Sequence, residues 1–244
     1  MTKIAVVTGS SSGIGKAISD LLLEMGYKVY GVSLDSRPSD NPNFLSIKAD
    51  LTDAGSYSLI SQAIKEEKID LLVNNAGVAF EKGALDFSED SFGRMSDVNF
   101  KAPILLTKEF KNKLTGGLVI NISSVSDRLV GENYALYCSS KAALNRYFDV
   151  VALEEKSIKF ASILPSYVDT PLLRKLQENN RDFAWEATMK PEQIAELVGK
   201  VVKDGKDISS GAKIIAVSDA LKEDLEYKEN LLGYNVTTQK LFTL

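Results

Sequence analysis

Tyr137 and Lys141 stand four residues apart in YCSSK, residues 137–141. On a helix that spacing puts both side chains on one face, a turn apart. A free phenol has a pKa near 10, which makes it a poor proton donor and a worse base at neutral pH. An ammonium within about 4–6 Å stabilises the phenolate and lowers that value by roughly 1–3 units. The tyrosine then enters the range where general acid–base catalysis is efficient. Ser124 ends an apolar run thirteen residues earlier, where a hydroxyl can bond a substrate oxygen as charge develops on it. Taken alone, a tyrosine and a lysine at this spacing are most often an exposed amphipathic pair. The chain contains no histidine, which excludes a histidine base and the usual histidine-containing zinc sites, and no metal site is expected.

A second chemical signal lies near the N-terminus, in TGSSSGIGKA, residues 8–17. Glycine-rich turns between a strand and a helix hold phosphates, because backbone approaches the ligand closely and the helix start presents free N–H groups. Gly9 and Gly15 are separated by five residues and Ala17 follows Lys16, so the mononucleotide P-loop fails on spacing and on its magnesium ligand. Ser11 occupies the place of the second glycine in the common dinucleotide fingerprint, so that pattern fails too. What remains is T-G-x-x-x-G-x-G. A third signal, LLVNNAG at 71–77, ends an apolar run with amide and small residues, which fit either an Asx turn or backbone laid against a flat ligand.

The elements that would position these groups alternate along the chain. Continuous apolar runs at 4–8, 29–33, 44–47, 71–74, 118–123, 160–164 and 213–217 read as strands. Helical patterns lie between them at 14–25, 52–67, 88–112, 134–155 and 191–203, with Gly26 closing the first and Pro191 starting the last. Strands buried on both faces and separated by helices specify an α/β fold, a doubly wound parallel sheet of about seven strands with helices on both faces. In such sheets ligands bind beyond the carboxyl ends of the strands, where all three signals fall. No linker or repeat divides residues 1–244, so a single domain is expected. Segment 166–190 reads as a loop and short helices over the site, and 218–244 as a tail that leaves the alternation.

Composition narrows the function classes. The chain has 244 residues, 29 basic against 33 acidic, with a net charge of −4. There is no basic footprint for nucleic acid or an anionic membrane surface, no apolar stretch of spanning length and no signal-peptide core. A cytoplasmic location is expected. Cys138 is the only cysteine, more often a small packed hydrophobe than a reactive thiol in such a place.

Together TGSSSGIG, NNAG, Ser124 before YCSSK, and PSYVDTP at 165–171 resemble the short-chain dehydrogenase/reductase family, in its short single-domain branch, over roughly residues 3–217. The resemblance implies a Rossmann-type fold that binds NAD or NADP and moves a hydride between nicotinamide and a carbonyl or alcohol carbon. By position it implies Tyr137 as acid–base, Lys141 as the residue that lowers its pKa and bonds the nicotinamide ribose, and Ser124 as donor to the substrate oxygen. Asn99 would support a water-linked proton path. Gly9, Gly13 and Gly15, with Ser11 and Ile14, would form the pyrophosphate loop. Asp50 and Leu51 would meet the adenine, Asn75, Ala76 and Gly77 the adenosine side, and Pro165, Val168 and Thr170 the nicotinamide carboxamide. Ser166 departs from the glycine usual there, and the tail lacks the family's frequent Asp-Gly-Gly. The resemblance also implies a homodimer or homotetramer. A cofactor-binding sensor on the same fold is the alternative reading.

Cofactor choice rests on the end of the second strand. Asp35 favours NAD, because a carboxylate accepts ribose hydroxyls and repels a 2′-phosphate. Arg37 could meet that phosphate instead, while the absence of a basic residue at Ser12 leans toward NAD. Over the site, Leu172, Leu173, Phe183 and Trp185 could enclose an apolar small-molecule substrate, with Arg174 or Arg181 holding an anionic tail. Solvated arginines on an amphipathic lid are the commoner arrangement.

Overall fold

The structure, a computed structural model, describes residues 2–205, 207–218, 232–235 and 239–243. The run IAVVT forms β1 (Ile4–Thr8), buried at all five positions. It lies in a sheet with β2 (Lys28–Ser33), β3 (Phe44–Lys48), β4 (Leu71–Asn74), β5 (Leu118–Ile122), β6 (Lys159–Pro165) and β7 (Ala212–Val217). These seven strands are parallel in the order β3-β2-β1-β4-β5-β6-β7, the expected Rossmann-type arrangement. The chain runs outward one way from β1 and the other way from β4. The carboxyl ends of those two strands therefore flank the switch-point crevice where such sheets take ligands.

Helices α1 (Gly13–Glu24), α2 (Ser56–Ala63), α3 (Glu89–Ser96), α4 (Ala102–Glu109), α5 (Ala135–Glu154), α6 (Pro171–Leu176) and α7 (Pro191–Lys203) complete the layers. One apolar cluster joins Ile18 and Leu22 of α1 and Leu197 and Val198 of α7 to Val7, Val73 and Ile163 of the sheet. On the opposite face Ile60, Leu106, Leu144 and Phe148 pack on Val6, Leu72 and Val119. Two-sided burial is why β1, β4 and β5 read as unbroken apolar runs.

Three expected boundaries change. The helix expected over 88–112 is divided by a π-helical turn, Asp97–Lys101, between α3 and α4. Such single π turns recur at functional sites because they re-aim one residue. The helix expected over 52–67 contracts to α2. Ahead of it Asp50 Oδ1 accepts from Thr52 N (2.9 Å) and Asp53 Oδ1 from Gly55 N (2.9 Å), local bonds that compete with helix. Beyond β7, where the alternation stops, β8 (Leu232–Asn235) adds in parallel and β9 (Lys240–Thr243) antiparallel to it, extending the sheet to nine strands.

Candidate active site

A cleft of about 640 Å³ opens at the carboxyl ends of the strands, within the size range of small-molecule sites. Its floor at one end is the glycine turn. Gly9 and Gly13 have φ of +67° and +51°, conformations that cost little only for glycine. Gly15 serves differently. A Cβ there would lie 2.2 Å from Gly9 O and 2.4 Å from Asn75 Nδ2, so the absent side chain lets α1 seat directly on the turn. Thr8 fixes the turn from below, its Oγ1 accepting from the N–H groups of Asn75 and Ala76 (3.0 Å each). Asn75 Nδ2 donates to Thr8 O at 2.8 Å in return. The ends of β1 and β4 are thereby stitched together, a role for Thr8 that the motif letters alone did not disclose.

Of the residues expected around a dinucleotide, Gly9, Ser11, Gly13, Ile14, Asp35, Asp50, Leu51, Asn75, Ala76, Gly77, Pro165, Val168 and Thr170 line the cleft, as do Ser124, Tyr137 and Lys141. Gly15 does not; it is buried behind the turn. Asn99 also stands behind the cleft, 1% exposed. From its π turn it accepts from Val78 N (2.8 Å) and donates to Val78 O (2.8 Å) and Ser140 Oγ (3.1 Å). Asn99 is thus a positioning residue that binds the segment after NNAG to the helix carrying Tyr137 and Lys141. Lys16 points elsewhere and pairs with Asp20 one turn on (2.9 Å).

At the chemical centre, α5 presents Tyr137 and Lys141 to the end of β5. Lys141 is 4% exposed and donates to Ile122 O at 3.0 Å. Burial lowers its ammonium to about 8. Its Nζ lies 5.7 Å from the centre of the Tyr137 ring. The expected depression of the tyrosine is not found. Burial raises the Tyr137 phenol, a hydrogen bond with the Ser124 hydroxyl opposes the rise and Cys138 adds to it. The physical reason is that the phenol is enclosed by low-dielectric protein and the ammonium itself is destabilised by the same burial. Ser124 Oγ also donates to Ser126 Oγ and accepts from Ser126 N, both at 3.1 Å. Asp127 ends this short turn, and its Oδ2 accepts from Asn145 Nδ2 of α5 at 2.7 Å, clamping the Ser124 turn to the helix that carries Tyr137.

The fit to a dinucleotide is testable on the residues present. The positive-φ glycines and the open start of α1 make a cradle for a pyrophosphate. Lys141 has one hydrogen-bond partner among the described residues, which leaves donors for a ribose diol beside Gly77. The Ser123 and Ser166 hydroxyls are buried without partners among the described residues, and both residues line the cleft. Ser166 takes an ordinary backbone angle, so the departure from glycine strains nothing. These groups fit the cofactor.

Cofactor and substrate ends differ in charge. At the adenosine end Ser33 Oγ donates to Asp35 O (2.8 Å), and Asp50 is held below the usual carboxylate range by its Thr52 bonds, with Arg94 nearby assisting. Arg37 turns away from the cleft: it pairs with Asp20 and stacks 4.7 Å over the Phe44 ring. At the substrate end Leu172 and Leu173 line the cleft, but Phe183 and Trp185 do not; the Phe183 ring packs edge-on against both Trp185 and Tyr167. Arg174 is forked onto Asp169 at 2.6 and 2.7 Å and neither it nor Arg181 reaches the cleft. Cys138, expected as a packed hydrophobe, is a half-buried lining residue instead. Tyr134, Gln177 and Leu176 line this end and were not singled out in the sequence. The one available signal was Tyr134 standing one turn before Tyr137.

Among the described residues no helix is long and apolar enough to cross a membrane, and no cluster of three metal-binding side chains occurs. Comparison with known proteins agrees with this architecture. The short chain dehydrogenase family profile matches residues 3–181. The NAD-dependent glycerol dehydrogenase of Listeria innocua is 29% identical, over 96% of this chain and 94% of its own length. Galactitol 2-dehydrogenase of Agrobacterium fabrum is 30% identical, over 89% and 91%. The ligand-free aldohexose dehydrogenase of Thermoplasma acidophilum superposes with a TM-score of 0.80 at 24% identity, covering 88% of this chain and 92% of that one, a likeness of fold. On its sequence and its fold, the chain belongs to the short-chain dehydrogenase/reductase family.

Proposed function

We propose that the protein is an NAD-dependent oxidoreductase that interconverts a small carbonyl compound and its secondary alcohol. The observation that carries this reading is the convergence of Ser124, Tyr137 and Lys141 on one cleft whose other end is the glycine turn. A nicotinamide bound there supplies or takes up the hydride. The chain's own residues handle the proton. In reduction the Tyr137 phenol gives its proton to the substrate oxygen as the carbon–oxygen π bond breaks, and the Ser124 hydroxyl donates to the same oxygen. Burial keeps that phenol protonated at neutral pH, the form reduction requires. Lys141, charged below about pH 8, stabilises the resulting phenolate. Asn99 holds Val78 and Ser140 in place, and a water-linked path to Lys141 is part of the proposal.

The choice of NAD follows from charge at the adenosine end. Asp35 lines the cleft while Arg37 is engaged by Asp20 with its side chain 12% exposed, so a 2′-phosphate would meet a carboxylate and no free arginine from the second strand. The alcohol dehydrogenases among the relatives, glycerol and galactitol enzymes by name, support the reaction class. A homo-oligomer also belongs to this reading, with the exposed Tyr147, Val150 and Leu153 of α5 as the apolar face to be covered; size-exclusion chromatography with light scattering tests it. The reaction is tested by a panel of ketones, aldehydes and alcohols with both cofactors in both directions, following nicotinamide absorbance. Tyr137→Phe is expected to keep NADH binding and lose turnover by roughly a thousandfold. Full turnover by that variant overturns the assignment. Tight NADH binding by the wild type with no turnover across the panel favours a sensor.

A further inference from the structure

Resting on the oxidoreductase reading, a narrower conclusion concerns what the substrate end of the cleft accepts. Lys141 is the one charged side chain among the described residues lining that end, and both candidate anion-reading arginines lie outside it. The walls are apolar: Leu129, Val130, Leu172, Leu173 and Leu176. Into this largely apolar surround a polar pair projects, from the α6 side and from the start of α5. Gln177, directly after α6, donates through Nε2 to Tyr134 Oη at 3.3 Å, and Tyr134 immediately precedes α5. Asn180 Nδ2 donates to Gln177 Oε1 at 2.8 Å, which fixes the amide with its NH₂ turned to the tyrosine.

The consequence is a matter of counting donors. A tyrosine hydroxyl has one hydrogen and a glutamine amide two. The Tyr134 hydrogen and the second Gln177 N–H find no acceptor among the described residues. Burial raises the Tyr134 phenol above its ordinary value, so the hydrogen stays in place. The pair therefore offers two donors to an acceptor oxygen, one helical turn from the phenol that serves the reacting carbonyl. Both residues are half-buried, and a monofunctional ketone that displaced water from them would leave two donors desolvated and unpaired, at a cost.

We propose that the site is built for a neutral substrate bearing an oxygen on the carbon beside the reacting one, an α-hydroxyketone, α-diketone or vicinal diol, with Tyr134 and Gln177 reading that second oxygen. The probes are hydroxyacetone and 2-butanone, which match in size and differ in the second oxygen. Wild type is expected to favour hydroxyacetone by twentyfold or more in kcat/KM, since a site that bonds a substrate oxygen strongly rejects the analogue lacking it. Tyr134→Phe and, separately, Gln177→Met are expected to bring that ratio down to about threefold or less, with unfolding midpoints recorded to show that each variant is folded. A wild-type ratio near one, with larger monofunctional ketones turned over freely, overturns this inference and leaves the oxidoreductase standing. A high ratio that survives in both variants also overturns it, by removing the two residues from the reading. Absence of turnover across the whole panel of ketones, aldehydes and alcohols, with either cofactor and in either direction, removes the oxidoreductase reading and this inference with it.

Discussion

The two ends of the cleft are made of different material. The end proposed for the cofactor is backbone: two glycines in left-handed conformations, a third that admits a helix, and strand ends stitched through Thr8 and Asn75. The end proposed for the substrate is side chain, from the start of α5, the turn after Ser124 and the cover at 166–190. Backbone sites demand particular residues at particular spacings, because few residues adopt the required angles or leave the required space. Side-chain sites demand only a surface of suitable shape. The first kind of site constrains the sequence letter by letter, and the second leaves it free to vary.

The sharpest way to break this contrast is Gly15→Ala. Its new Cβ would fall 2.2 Å from Gly9 O, so turn or helix must move; NADH affinity, measured by fluorescence titration, is expected to fall about a hundredfold or more. Near-normal affinity would show that the turn is not built by close backbone approach.

Lys141→Met tests the junction of the two ends and has two readouts. Turnover is expected to fall by roughly a hundredfold. Stability is expected to move the other way at neutral pH. The lysine titrates at about 8 in the folded chain against 10.5 in the unfolded one, so the unfolded chain binds more protons between those values and stability rises with pH through that window. Relief of a penalty of order 3 kcal/mol at pH 7 should make the variant the more stable protein. The advantage should shrink toward pH 10.5. Denaturant midpoints of both proteins at pH 7 and 10 check the sign, and a variant less stable at pH 7 contradicts it.

Smaller effects sharpen the comparison. Asp35→Asn is expected to raise the KM for NAD by about five- to tenfold and to narrow the preference over NADP; unchanged constants for both cofactors would remove Asp35 from the ribose site. Arg174→Ala, by contrast, alters a surface pair with Asp169 that stands outside the cleft, and should change kcat/KM less than twofold for any substrate of the wild type. A large loss specific to acidic substrates would instead restore it as an anion reader.

What could be read in advance follows the same division. The strands, the crevice and the turn were legible because two-sided burial and glycine spacing are properties of the chain itself. The division of the 88–112 helix was not, since a π turn at Asp97–Lys101 is set by the bonds Asn99 makes to Val78 and Ser140 far away in sequence. Nor could the sequence decide Arg37, whose partner Asp20 sits on α1 and whose ring lies on β3. Strands β8 and β9 lack a long apolar run and take their place by edge pairing, β8 onto the free edge of β7 and β9 onto β8. The direction of the Tyr137 shift depended on weighing enclosure against a nearby charge, and only the folded geometry supplies both.

The cover over the substrate end leaves β6 and returns at one point, where Val168 and Met189 form a lone parallel bridge. Met189 N donates to Tyr167 O (2.9 Å) and Asp169 N to Met189 O (2.8 Å). Because the two ends of the excursion are joined at its base, the span between them can lengthen, shorten or change composition with little added closure cost. Pro165 and Val168 would keep their positions in the cleft through such changes. New shapes for this end of the cleft would then arise as cassette exchanges at 171–188, independently of the glycine turn and of the Ser124, Tyr137 and Lys141 cluster.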